Sequence, residues 1–332
     1  MLKSKYKNIT IFIVIFAAGI LTSWLVFKNL KQETSNNDCG TDYKLINPTI
    51  ICELSKKEPL ETFDKIHSKL KASVDYSILG EKATKISIFF RDLKTRQWFG
   101  VNENENYAPA SLLKLPLLVA YYKLSEIQPN ILSEKYTFNG QTQTPNEMQD
   151  IKPESVLEKG KEYAIEELLY RMIVYSDNEM VDPLSNLISA NFLNKVFIDL
   201  GVYIPTSSGP ETDFLSPKIY AAIFRTLYNT NYLIPANSEK VLDLLTKTKF
   251  NDALVAGIPK EVKVAHKFGE REIKDENNDI VTRNLYDCGI IFHSQNPYIL
   301  CVMTKGDNWD NLREVIKNIS YTVYLEIDKL KD

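Results

Sequence analysis

Residues 107–118 read Tyr-Ala-Pro-Ala-Ser-Leu-Leu-Lys-Leu-Pro-Leu-Leu (YAPASLLKLPLL), and the apolar character continues to Leu124. A stretch apolar on nearly every side reads as a helix buried on most faces, here over residues 110–124 behind Pro109. Near its start stand a serine hydroxyl and an amine, Ser111 and Lys114, three positions apart and therefore on one helical face. Burying a lysine is costly without a purpose or a partner. Burial beside another cation keeps the amine neutral, and a neutral amine can take the serine proton and create a nucleophile. The competing reading is a lysine whose stem snorkels to the surface. Ser-x-x-Lys also occurs at Ser4 to Lys7 and Ser68 to Lys71, where it reads as solvated surface, so context has to decide.

Two later segments supply that context. Tyr175-Ser176-Asp177-Asn178 closes an amphipathic stretch, residues 165–174, and sets a second hydroxyl and an amide at a helix end. His266-Lys267-Phe268-Gly269 closes the extended run 262–267, bringing a cation and a glycine that admits close approach of a substrate backbone. Either motif alone is ordinary. Ser-x-Asn recurs at Ser35, Ser189 and Ser294 as turn or cap chemistry.

Around these motifs the periodicities predict an opening helix from Leu60, with Phe63, Ile66, His67 and Leu70 on one side. They predict a hairpin from 86–92 and 97–102, a mainly helical middle, strands at 262–267, 285–292 and 298–304, and a closing helix. The order implies an α/β arrangement with two lobes. In the last hairpin Cys288 falls opposite Cys301, which leaves a cross-strand disulfide and a pair of buried thiols both open.

Composition removes other function classes. The 332 residues carry 40 basic and 43 acidic side chains, a formal net charge of -3, which does not suit a nucleic-acid partner. Three histidines, with no HExxH, CxxC or GxGxxG, leave no zinc, redox or dinucleotide signature, and no cofactor or metal is expected. A Ser-His-Asp esterase would have to use His266, the one histidine beside a motif, without a GxSxG.

At the N-terminus Asn8 to Phe27 is an uncharged run of spanning length, read as an uncleaved single-pass anchor over 9–27, with a cleaved signal peptide, whose apolar core is normally shorter, as the competing reading. Lys3, Lys5 and Lys7 keep residues 1–8 in the cytoplasm, so the chain beyond lies outside the cell membrane. Residues 28–59 read as a stalk in which Cys39 and Cys52 are a disulfide, which an oxidising exterior favours, or two free thiols, and 60–332 read as one compact unit.

With SxxK, SDN and a Lys-x-Gly in this order, residues 60–332 resemble the penicillin-recognising serine hydrolases, in particular the class A β-lactamase-like family. The resemblance implies an antiparallel sheet flanked by N- and C-terminal helices, joined to an all-helical lobe, in a protein acting as a monomer. It makes Ser111 the acylated nucleophile, Lys114 its base, Ser176 the proton carrier, Asn178 a holder of the substrate amide and Lys267 the stabilising charge. The oxyanion hole falls to the backbone N–H groups of Ser111 and Glu270, with Gly269 beside the substrate. The implied substrate is a β-lactam or a peptidoglycan-derived amide, and the implied outcomes are a β-lactamase, a D,D-peptidase or a non-catalytic wall-fragment binder. Two departures stand out. Phe268 replaces the Thr or Ser whose hydroxyl binds a substrate carboxylate, with Arg271 as a substitute or a surface residue. No ExxLN follows SDN, and Glu211 is the nearby glutamate for deacylation, or else a loop or capping residue.

Overall fold

The computed structural model describes residues 60–140, 151, 153–206 and 212–331, together with positions 19 and 22. The chain divides into two units, Met1–Lys57 and Glu58–Asp332. Among the described residues no helix is long and apolar enough to cross a membrane. Apart from positions 19 and 22, the expected anchor lies outside the described residues, as do the Cys39 to Cys52 pairing and Glu211.

Helix α1 (Leu60–Leu79) leads into β1 (Lys85–Asp92) and β2 (Trp98–Val101). The expected central helix starts as a 3-10 turn, Ala110–Leu113, and becomes helix α2 at Lys114–Ser125. Leu112 N–H bonds to Pro109 O at 3.0 Å, the i to i+3 closure of that turn. This corrects the expectation of one continuous α-helix. A small two-stranded ribbon, β3 (Lys135–Thr137) and β4 (Glu162–Ala164), precedes α3 (Ile165–Val174), α4 (Val181–Leu187) and α5 (Ala190–Asp199). Helix α6 (Pro217–Tyr228) begins where Ser216 caps the N–H of Ile219 and Pro217 sets the first turn, and α7 (Pro235–Leu245) follows.

The closing strands are β5 (Val264–Lys274), β6 (Ile280–Ile291) and β7 (Tyr298–Gly306), followed by α8 (Trp309–Asp328). All sheet neighbours are antiparallel, in the order β2-β1-β7-β6-β5. Strand β5 runs seven residues past the expected end at Lys267, so Lys267-Phe268-Gly269 lies mid-strand. The extension Glu270 to Lys274 is mostly charged and shows no apolar alternation, and pairing with β6 holds it extended as far as the turn at Asp275 to Asp279.

Side-chain alternation divides two cores across the sheet. One face packs Ile86, Ile88, Phe90, Val264 and Phe268 against α1 and α8. The other packs Phe89, Ala265, Tyr286, Ile290 and Met303 against α2, α3 and α6. Cys288 faces Cys301 on this second face, and the two are joined as a disulfide. The result is an α+β fold, an antiparallel sheet with terminal helices on one side and a helical layer on the other.

Candidate active site

Ser111 sits in the 3-10 turn directly after Ala110, whose φ of 47° is left-handed. Side chains three residues apart eclipse in a 3-10 helix, so the turn keeps Ser111 and Lys114 on one side. Tyr220 of α6 fixes this turn from beneath, donating its buried hydroxyl to Leu112 O at 3.1 Å.

The SDN segment meets Lys114 from the end of α3. Lys114 Nζ bonds to Ser176 O, to Ser176 Oγ at 3.1 Å and to Asn178 Oδ1 at 2.6 Å. Ser176 is itself left-handed, with φ 56°, a strained conformation held by its surroundings. Asp177, fully buried, provides that support. Its Oδ2 lies 3.2 Å from Arg171 Nε, its Oδ1 accepts the N–H of Glu179, and Arg171 also grips Ser155. Sequence reasoning missed Arg171 and Tyr220.

From the other side, Lys267 Nζ donates to Ser176 Oγ at 2.9 Å and to Phe268 O at 2.8 Å. The three motifs therefore converge on one hydroxyl, Ser176, between two buried amines. Burial, then the charge of Lys267, push the Lys114 amine well below the usual lysine range, against a smaller opposite pull from Asp177. Burial also lowers Lys267 to about 7, against Asp287 and Glu270, which raise it. In this state Lys114 is a free base, and Lys267 carries its charge below about pH 7 and loses it above.

Gly269 brings β5 against the 3-10 turn that carries Ser111. A Cβ there would lie 3.2 Å from the Tyr286 ring and 3.3 Å from Leu112 Cγ, tighter than ordinary contact. The Phe292 N–H to Lys263 O bond sets the phase of the β5–β6 ladder. Residues 265, 267 and 269 then turn their backbone groups to β6, and 266, 268 and 270 turn theirs to the open edge. His266 O and Phe268 O, which accept Thr248 Oγ1 and Lys267 Nζ, agree with that phase. The Glu270 N–H therefore projects from the open edge beside Ser111, while its carboxylate lies on the opposite face, 3.5 Å from Arg313.

Phe268 stacks on Phe250 at 4.3 Å between ring centroids, in the core beneath α1 and α8, and Lys267 Nζ lies 4.2 Å from its ring centre. No hydroxyl of this residue reaches a substrate. Arg271, by alternation, shares the face of Lys267 and Gly269. His266 lies on the Phe268 face, with Nδ1 2.8 Å from Asp287 Oδ1, and Leu254 N–H holds the other carboxylate oxygen. That pair is structural, and the esterase alternative built on His266 has no support in this geometry.

The lysine pair gives a signed prediction. As pH rises through about 7, Lys267 loses its charge, and the rate of a reaction that relies on this charge should fall on the alkaline side. Stability should move the other way. Both lysines bind fewer protons folded than unfolded, so from about pH 7 to the unfolded lysine value near 10.4 stability rises with pH. In a rate profile across pH 5–10, Lys267→Arg, which stays charged, should remove the alkaline fall. An unchanged profile would mean that another group titrates.

The sequence matches the family described as "Beta-lactamase enzyme family" over residues 66–327. Among solved structures, a PBP-A point mutant, described as an acyl-enzyme complex with penicillin G, aligns with TM-score 0.65 and 22% identity. That alignment covers 82% of this chain and 98% of the other. The TLA-3 extended-spectrum β-lactamase aligns with TM-score 0.66 and 19% identity, over 80% and 99% of the two chains. A β-lactamase from Xanthomonas campestris gives TM-score 0.65 and 20% identity, over 79% and 98%. At these identities the likeness shows a shared fold. No curated protein matches the sequence.

Proposed function

The chain belongs to the beta-lactamase enzyme family, and from that premise we propose that it is a serine hydrolase that acylates Ser111 with a β-lactam or a related amide. The observation that carries this is the meeting of Lys114 and Lys267 on Ser176 Oγ. Ser111 Oγ attacks the carbonyl carbon as its proton passes to neutral Lys114. The oxygen that becomes negative is held by the N–H groups of Ser111 and Glu270, donors worth a few kcal/mol each in comparable sites. When the C–N bond breaks, the proton travels from Lys114 through the Ser176 hydroxyl to the leaving nitrogen, and Lys267 stabilises Ser176 during the transfer. Asn178 holds the substrate amide, and Arg271 meets a substrate carboxylate where position 268 offers no hydroxyl. Anchoring through Asn8 to Phe27, with the hydrolase outside the membrane, completes the proposal and rests on the sequence alone.

Water must then release the acyl group, with Glu211 as the proposed base. The lack of an ExxLN after SDN favours a second reading, a D,D-peptidase that acts on peptidoglycan stem peptides and is trapped by penicillins as a slow acyl-enzyme. A binder without catalysis is disfavoured, since it needs no depressed lysine beside a serine.

Incubating the full chain with a penicillin, while following both drug consumption and protein mass, separates these readings. A transient adduct with drug consumption supports the lactamase. A persistent adduct together with release of D-alanine from a stem peptide supports the peptidase. Neither adduct nor turnover on any of these substrates would overturn the acyl-enzyme proposal.

A further inference from the structure

Away from the three motifs, a cavity of about 500 Å³ opens between the β1–β2 edge and helix α6. Its size falls in the range of small-molecule sites. Three cations line it, Arg91 of β1 with Lys218 and Arg225 of α6, and no aspartate or glutamate does among the described residues. Its apolar wall comes from Phe89, Trp98 and Ile219. None of Ser111, Lys114, Ser176 or Lys267 belongs to it.

Among the described residues no acid lines the cavity to pair with these charges. Among the described residues neither Arg91 nor Arg225 forms an ion pair with a carboxylate. Lys218 Nζ sits 4.5 Å from the centre of the Trp98 ring, a contact with an aromatic face instead of an acid. Burial, then the nearby charges of Arg225 and Arg96, push the Arg91 guanidinium below its usual value, against a smaller opposite pull from Asp92. Holding like charges together opposes folding unless an anion relieves them. Alternation puts Arg91 on the same sheet face as Phe89, under α6, where Ala221 and Ala222 leave room instead of filling the gap.

We propose that this cavity is a second binding site, for a small amphipathic organic anion: a phosphate or carboxylate group carried on an apolar ring. The acidic group is held between Arg91 and Arg225, whose guanidinium forks match two oxygens of such a group. The ring lies against Phe89 and Ile219. Lys218 adds charge at the rim.

Calorimetric titration of the full chain tests this, with phenyl phosphate as the complete probe, benzoate as its carboxylate counterpart, and inorganic phosphate and benzyl alcohol as the two halves. Phenyl phosphate should bind saturably and more tightly than either half, and salt should weaken it. The benzoate arm decides which acid is preferred. Arg225→Gln, on the exposed side of α6, and Arg91→Gln should each weaken binding roughly tenfold, with circular dichroism showing both variants folded. Ser111→Ala should bind as wild type, which keeps this result separate from the acylation chemistry. The proposal fails if neither phenyl phosphate nor benzoate saturates wild type, if the double arginine variant binds equally well, or if Ser111→Ala abolishes binding.

Discussion

Lys114→Met should lower the rate of acylation by penicillin about a thousandfold, while the protein remains folded. General-base assistance contributes roughly 10² to 10⁴ in rate, and Lys114 is the buried amine within one 3-10 turn of Ser111. Methionine keeps most of the side-chain length and removes a buried amine, so packing changes little. Ser176 O and Asn178 Oδ1 lose a donor, which costs some stability but does not mimic a kinetic loss of this size. Stopped-flow acylation and a thermal melt of the same sample separate the two effects. His266→Ala is the paired control. It should melt earlier, because Asp287 loses its partner, and still acylate. A Lys114→Met rate within tenfold of wild type would remove Lys114 as the base.

Gly289→Ala should be the most damaging single methyl in the strands beneath the site. A Cβ at Gly289 would stand 2.4 Å from Ala265 O and 2.5 Å from His266 Cβ. One of these is backbone of β5 and cannot swing aside, so β5 must separate from β6 opposite His266. Overpacking of this kind costs about 3 kcal/mol. Because Lys267 follows His266 directly, the displacement should also move its amine away from Ser176. A melting curve and an acylation rate check both parts. A variant as stable as wild type would show that the β5–β6 approach is looser than described here.

What the sequence made legible was the chemistry carried by short-range patterns. Ser111 and Lys114 share a face in either kind of helix, so the pair could be read although the turn is 3-10 and not α. The Cys288 to Cys301 register followed from a four-residue loop, but whether the thiols were joined did not. The end of β5 was misjudged because Glu270 to Lys274 owes its extension to β6 and not to its own side chains. Phe268 was recognised as a departure, yet the face it occupies depends on Phe250 waiting on the other side of the sheet. Arg171 and Tyr220 support the site through tertiary contacts to Asp177 and Leu112, which no local spacing announces. The cavity between Arg91 and Arg225 was hidden for the same reason, its two arginines lying far apart in the chain.

The central claim is that Ser111 is the group that becomes acylated. Intact-mass measurement of the full chain with penicillin, followed by peptide mapping of the adduct, tests it directly. One added penicillin is expected on the peptide containing residues 107–118, and none on Ser111→Ala. An adduct on any other residue, or equal labelling of Ser111→Ala, would contradict it.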